Sequence, residues 1–458
     1  MWHYGVAVTS TAGARGASGT ARGLCPSVHA PFLELDGALI RIRLPGGIVT
    51  AEAAHAVAAA VAGVGGGAIE LTNRANLQLR GIPPESVPRV RDALVATGLA
   101  LAEPDADERR NVLASPTAGV DAAELLDTTS LVEAIAERLA SRAASGLSPK
   151  FGVLVDGGGA VHVRDRVHDI ALGAVQLHDG TVHYEVRLGE ALCTARRPSE
   201  PVWVVAEERA LDAVDALIEV CRPFGRARAL LDTCGTTHAR DAIASRARGA
   251  LTWVSPASVV VTDAVSESPI GVRPQREPGY VSVGAAVMLG RLGAEQLADV
   301  AEASNAAGDA SLRISPWRHV VLTNVATRDA AVVVARLEQI GLVTDPDHPA
   351  NVVVACTGSR GCAAGLVDAP ADARVLIDLL AERPVEARPR SVHVSGCEKG
   401  CASPSQAAVT IVGGPAPETY TFYCGSSDDS RFGTAVQSGL DARTAVEQVV
   451  VAGEQRAR

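Results

Sequence analysis

"ACTGSRGC", residues 355–362, and "VSGCEKGCASP", residues 394–404, place Cys356 and Cys362 with five residues between them and Cys397 and Cys401 with three. Between the two pairs lie 34 residues. Four thiols grouped in this way point to a metal centre, because thiolate is the soft ligand that zinc and iron–sulfur centres take. Structural zinc draws its paired ligands from tight knuckles about two to four residues apart, and a five-residue gap fits that poorly. A [4Fe–4S] cubane is larger than a single ion, its corners lie farther apart, and it accepts wider intervals. Gly358, Ser359, Gly361, Gly396 and Gly400 let the backbone approach such a cluster and offer N–H donors to its sulfides. The spacing favours the cluster, with zinc and unligated core thiols as the alternatives.

At 458 residues the chain is too long for one ordinary core and predicts two to four domains. Hydrophobic residues make up 47% and charged residues 21%, and apolar runs such as "AVAAAVAGV" at 56–64 are too short for a bilayer span, so a globular, non-membrane protein is expected. The first 22 residues are rich in Gly, Ala, Ser and Thr, without a basic head and apolar block; they read as a disordered tail. Without a signal peptide the expected compartment is the reducing cytoplasm. There the nine cysteines are ligands or buried thiols rather than disulfides. Cys193, Cys221, Cys234 and Cys424 are scattered and are expected to pack as small apolar side chains. A net charge of −10 argues against nucleic acid as a partner. Any anionic ligand must meet a local cluster of Arg and Lys.

Outward from the cysteines, the informative feature is repetition. "ALIRIRL" alternates like a half-buried strand, Thr50 is placed to cap an Ala-rich helix over 50–63, strands follow at "AIELTN" and "NLQLRGI", and a helix begins near "PPESVPRVRDALVATG". The segment from 310 to 343, after a helix over 293–305, repeats that form. "NVLASPTAG" from Asn111 and "NVVVACTGS" from Asn351 then match at an offset of 240 residues, which puts Pro116 in the place of Cys356. Such a duplication predicts two similar halves around a pseudo-twofold, with a site at their interface and cluster ligands in one half alone. Residues 106–260 alternate helical patterns with strand-like runs, "KFGVLVDG", "VWVVAE" and "ARALLD", as an α/β domain does. "SESPIGVRPQREPGY" reads as a surface linker. The stretch 346–458 is expected to carry the cluster on the loops after two strands and to close with a helix near 440–453.

The C-x5-C and C-x3-C pattern, the latter inside "SGCEKGCASP", resembles the cluster signature of the nitrite and sulfite reductase superfamily. Within it, the chain looks most like the precorrin-3B synthases of aerobic cobalamin biosynthesis, over roughly residues 23–450. The resemblance implies an α+β fold with α/β elements, internally duplicated. Its expected parts are a ferredoxin-like half-domain at 23–105, a cluster-free reductase-like domain at 106–262 and a linker at 263–280. A second half-domain at 281–345 and the [4Fe–4S]-binding domain at 346–458 complete it. It also implies the O2-dependent reaction of that family, in which precorrin-3A gains oxygen at C20 and a γ-lactone closes. Electrons would come from an NADH-linked reductase or a ferredoxin.

In the superfamily a tetrapyrrole lies against the cluster, ringed by cations of the first half. Carried over motif by motif, "RIRLPGG", "LTNRANLQLRG", "RRNVLASP" and "LSPKFG" mark Arg41, Arg43, Arg74, Arg110 and Lys150 as substrate-binding candidates. A precorrin is fringed with carboxylates, which guanidinium pairs in bidentate fashion. Each cation alone reads more often as a solvated surface charge, and it is the joint match of four motifs that favours the set. Sulfite reductases carry a second lysine two residues beyond the first in "PKFG", where this chain has Gly152; the departure counts against a small anionic substrate. The alternative implied function is a sirohaem-dependent nitrite or sulfite reductase, with the Cys401 thiolate shared between cluster and haem iron. His319 and His393 are candidates for a second, non-haem iron, against the commoner reading of hydrogen-bonded structural histidines. Cys25 opens a "CPSVHAP" segment like the synthases' own and receives no role.

Overall fold

The computed structural model describes residues 25–192, 202–247, 249–260, 265–403, 405–426 and 430–457. The expected tail, Cys193, and residues 263 and 264 of the linker lie outside the described residues.

Alternating apolar residues at Ile40, Ile42, Leu77 and Leu79 are fully buried. Each such side chain contributes roughly 1.5–3 kcal/mol on leaving water, and together they fix which face of the first sheet turns inward. That sheet runs Phe32–Glu34, Gly37–Ile42, Leu77–Ile82, Ala68–Leu71 and Arg291–Leu292. The second runs Gly271–Pro274, Tyr280–Ala286, His319–Ala326, Ser311–Ile314 and Ile48–Thr50. Each therefore ends in a strand from the other half. Arg291 pairs with Glu70 at one exchange, and Val49 with Leu312 at the other. The exchange buries both edges and makes one continuous core of the two halves.

Helices cover these sheets. Thr50 caps the helix Ala51–Ala62 as expected, its hydroxyl accepting from Ala53 N at 3.1 Å, and this helix packs on Ala294–Ala307.

The other two sheets repeat one topology. Val112–Ala114, Val153–Asp156 and Ile170–Gln176 run parallel, then Val182–Leu188 and Val202–Val205 follow antiparallel, with Thr252–Val254 at the edge. Val353–Ala355, Val392–Ser395 and Val409–Gly413 run parallel, then Tyr420–Cys424 and Thr434–Leu440 antiparallel. The duplication is thus visible strand for strand.

Two expectations are corrected. "ARALLD" is not a strand but opens the helix Ala227–Arg246; its Ala, Leu and Arg are strong helix formers, and it has no β-branched residue. The linker is not merely a surface wrap, because Gly271–Pro274 within it pairs with Tyr280–Ala286 and forms the edge of the second sheet. Proline at a strand end is tolerated there, since its missing N–H faces outward.

Candidate metal centre and cation-lined cleft

Cys356 follows the strand Val353–Ala355 directly, and Cys397 lies two residues beyond Val392–Ser395, so both loops leave the carboxyl ends of neighbouring parallel strands. Crevices at such ends are where open α/β sheets bind ligands. Glycine allows the loops to touch. A Cβ at Gly396 would lie 3.0 Å from Gly358 Cα and 3.3 Å from Cys356 Sγ, while the Gly396 N–H donates to that sulfur at 3.0 Å. Burial pushes the Cys356 thiol up, opposed by the N–H groups of Gly396 and Gly358. Cys401 is likewise raised by burial and by its proximity to Cys356, Cys397 and Cys362. Three half-buried thiols and an exposed one, Cys401, with amide donors at Cys356, suit iron, whose charge would hold them as thiolates.

All four cysteines line one solvent-open cleft between the halves, with a cavity volume of about 240 Å³. Its other walls carry Arg41, Arg80, Arg291, Arg318 and Lys399, with Glu34 and Glu70. Arg41 donates to Gln78 Oε1 at 2.8 Å, and burial pulls its guanidinium down to about 10. Arg318, with φ of 65°, donates to Ala402 O at 2.6 Å. Of the five basic residues singled out from sequence, Arg41 alone lines this cleft. Arg74 and Lys150 line a smaller, narrow pocket of about 20 Å³ with Asn111, His168 and Arg226. The turn 72–76 divides the two spaces: Thr72 and Asn73 face the large one, Arg74 and Asn76 the small one.

The remaining two basic residues are engaged within the fold. Arg43 is 2% exposed and its Nε donates to Asn111 Oδ1 at 3.0 Å, which leaves Nη1 sealed without a partner. Arg110 pairs with buried Asp107 at 2.7 Å and donates to Leu99 O at 2.9 Å, and it lines neither space. At Gly152 an added Cβ would meet His168 Cδ2 at 3.2 Å. The His168 ring stands beside the absent side chain. Burial, reinforced by Arg74, holds that imidazole down to about 4 and therefore neutral at pH 7.

His319 and His393 are buried, and burial brings both down to about 4. His319 stacks on Trp317, and His393 lies beside Phe432. Among the described residues, no three His, Cys, Asp or Glu side chains, the cysteine quartet included, are gathered closely enough to ligate a single ion. Cys221 is buried, which pushes its thiol up to about 12; Cys234 and Cys424 are half-buried.

Sequence reasoning missed Arg80, Arg291, Arg318 and Lys399. Lys399 stood between two of the cysteines and Arg80 inside a quoted motif, so both were open to notice. Arg291 had no local signal, because its place depends on the strand exchange.

Comparison with known proteins follows this geometry. The model of the nitrite/sulfite reductase ferredoxin-like half domain matches residues 34–97 and 273–340. That of the nitrite and sulphite reductase 4Fe-4S domain matches residues 105–247. A precorrin-3B synthase from a Sinorhizobium species is 30% identical over 449 residues, covering 92% of this chain and 90% of that protein. The chain belongs to the nitrite/sulfite reductase family. The ferredoxin–nitrite reductase of Synechococcus elongatus is 29% identical over 392 residues, covering 82% of this chain and 76% of that one. The solved structure of the Mycobacterium tuberculosis NirA protein superposes with a TM-score of 0.72 over 90% of this chain and 79% of that chain, at 21% identity, and so bears on fold alone. This is a family of redox enzymes with a 4Fe-4S domain. Its cluster-domain model falls here on the copy whose cysteines are Cys193, Cys221 and Cys234, whereas the spaced quartet belongs to the second copy. No helix among the described residues is long and apolar enough to cross a membrane.

Proposed function

We propose that the chain is a precorrin-3B synthase, a monooxygenase that uses O2 to hydroxylate precorrin-3A at C20 and close a γ-lactone. Gly152 carries the reading. Where a sulfite reductase resembling this chain would extend a second lysine, the pocket has no side chain at 152 and a neutral imidazole at His168 beside it. A small anion such as nitrite or sulfite would lose one cation of that cradle, whereas a precorrin brings many carboxylates and a large apolar body. The cation-lined cleft supports a substrate that brings its own carboxylates: Arg41, Arg318 and Lys399 line it and would pair with such acidic side chains. Walls drawn from both halves would keep bulk water from the macrocycle.

Cys356, Cys362, Cys397 and Cys401 would hold a [4Fe–4S] cluster, which supplies electrons one at a time when bound. A ferredoxin or an NADH-linked reductase would be their source. One oxygen atom of O2 enters the product and the other leaves as water, so two electrons and two protons are required.

A second reading, a sirohaem-dependent nitrite or sulfite reductase, is favoured by the 29% identity to the Synechococcus elongatus enzyme. One experiment separates them. Anaerobically prepared, reduced protein is given nitrite, sulfite or precorrin-3A, with O2 admitted to the last alone. Conversion of the precorrin with neither anion turned over is the expected result; anion turnover at enzymatic rates with the precorrin unchanged reverses the order.

A further inference from the structure

Arg80 belongs to the N-terminal half, on the strand Leu77–Ile82, yet it holds the C-terminal half's first cysteine loop. Its Nε donates to Thr357 Oγ1 at 3.2 Å, next to Cys356, and its Nη2 to Gly361 O at 3.3 Å, next to Cys362. Asp36 pairs with the guanidinium at 3.2 Å, and Glu70 stands at 3.9 Å. Arg291 closes the circuit, donating to Glu70 Oε1 at 2.6 Å and to Thr357 Oγ1 at 2.7 Å. The Arg80 side chain is 7% exposed, it lines the cysteine cleft, and its Nη1 is sealed from water with no acceptor among the described residues. A buried cation rarely wastes a donor, because the unmet group costs about 1–3 kcal/mol. An electron-rich group seated in the cleft would meet it.

We infer that Arg80 is a positioning residue for the cluster, tying both ends of the Cys356–Cys362 loop and raising the cluster's reduction potential through its charge. The inference rests on reading the cysteine quartet as a [4Fe–4S] ligand set. Reduction adds one negative charge to the cluster, so a nearby cation stabilises the reduced form more than the oxidised one. Asp36 and Glu70 oppose that effect. Arg80 therefore acts as the counterweight in a four-charge circuit that its removal leaves with one net negative charge.

The test uses the reconstituted full chain without substrate, reading iron and acid-labile sulfide content and the midpoint potential from an EPR-monitored redox titration. Arg80→Met should move the potential to a more negative value. Arg80→Lys should keep it near wild type while iron is lost faster to a chelator, because a lysine cannot bridge both ends of the loop. Asp36→Asn should shift the potential the opposite way, upward. Wild-type potentials in cluster-replete Arg80→Met and Asp36→Asn proteins overturn the inference. If Arg80→Met holds no cluster, an unmoved potential in Asp36→Asn overturns it alone. A wild-type chain that takes up no iron and sulfide overturns the cluster reading, and this inference with it.

Discussion

The loops at 115–121 and 356–362 occupy the same place in the two copies and meet their polar demands in opposite ways. In the first copy the Ser115 hydroxyl donates to Val161 O at 2.6 Å, Thr117 donates to Asp121 Oδ2 at 3.1 Å, and that carboxylate also accepts from Val161 N at 3.1 Å. Pro116 is buried among them. The loop is closed by its own Asp121 together with the backbone of Val161. In the second copy Cys356, Thr357 and Cys362 are half-buried at a cleft, and Thr357 is met by Arg80 and Arg291 rather than by its own loop. An arginine from the opposite half grips both: Arg313 donates to Ala118 O at 2.7 Å in the first copy, as Arg80 does to Gly361 O in the second. Duplication alone does not make a site. The site persists where a loop's own side chains stay free for a ligand.

The largest effect expected from breaking this contrast is at the quartet. Serine at any one of Cys356, Cys362, Cys397 or Cys401 should abolish cluster and turnover together, since hard oxygen replaces soft thiolate at a corner. Serine at Cys221 or Cys424 should leave iron and acid-labile sulfide at wild-type levels.

Next is the joint between the halves. Gly47 has φ of +75°, and a Cβ there would sit 2.3 Å from Ile314 O, beside the exchanged strand Ile48–Thr50. Gly47→Val should cost about 3–4 kcal/mol in urea unfolding, from backbone strain and the clash together.

Arg110 and Arg41 then separate structural from ligand-facing cations. Arg110→Ala should cost about 3 kcal/mol of stability, because Asp107 is left buried without its partner, and tetrapyrrole affinity should hardly change. Arg41→Ala should do the reverse, weakening tetrapyrrole binding by about 2 kcal/mol in a fluorescence titration while the fold holds.

A smaller effect concerns pH. Burial, and secondarily Arg318, bring His319 from its ordinary 6.5 down to about 4. Between those values the unfolded chain takes a proton that the folded chain refuses, so stability falls as pH drops through that window, by at most about 3 kcal/mol. His319→Gln should lose this share of the slope. Wild type minus variant in urea stability should be flat above pH 6.5 and decline below it; a flat difference throughout would place the imidazole in water.

Local pattern made much of this legible. Ala51–Ala62 was foreseen from Thr50 and the Ala-rich run, because a cap and a helix propensity act within one turn. The exchanged strand Arg291–Leu292 left no such trace. Its partner Glu70 lies 221 residues away, and a two-residue strand has no periodicity to read. The linker strand Gly271–Pro274 was hidden for a related reason, since its prolines signal a turn and the edge position that excuses one of them is a tertiary fact.

By itself the sequence determined the duplication, the alternation that builds each sheet, and the cysteine spacing, all set by short-range chemistry along the chain. Only the tertiary structure decided which cations face the cleft. Arg41 and Arg110 look alike as residues on motifs, but one ends beside open space and the other beside a buried carboxylate. A guanidinium's role depends on what stands within a few ångströms of it, and that neighbour comes from the fold.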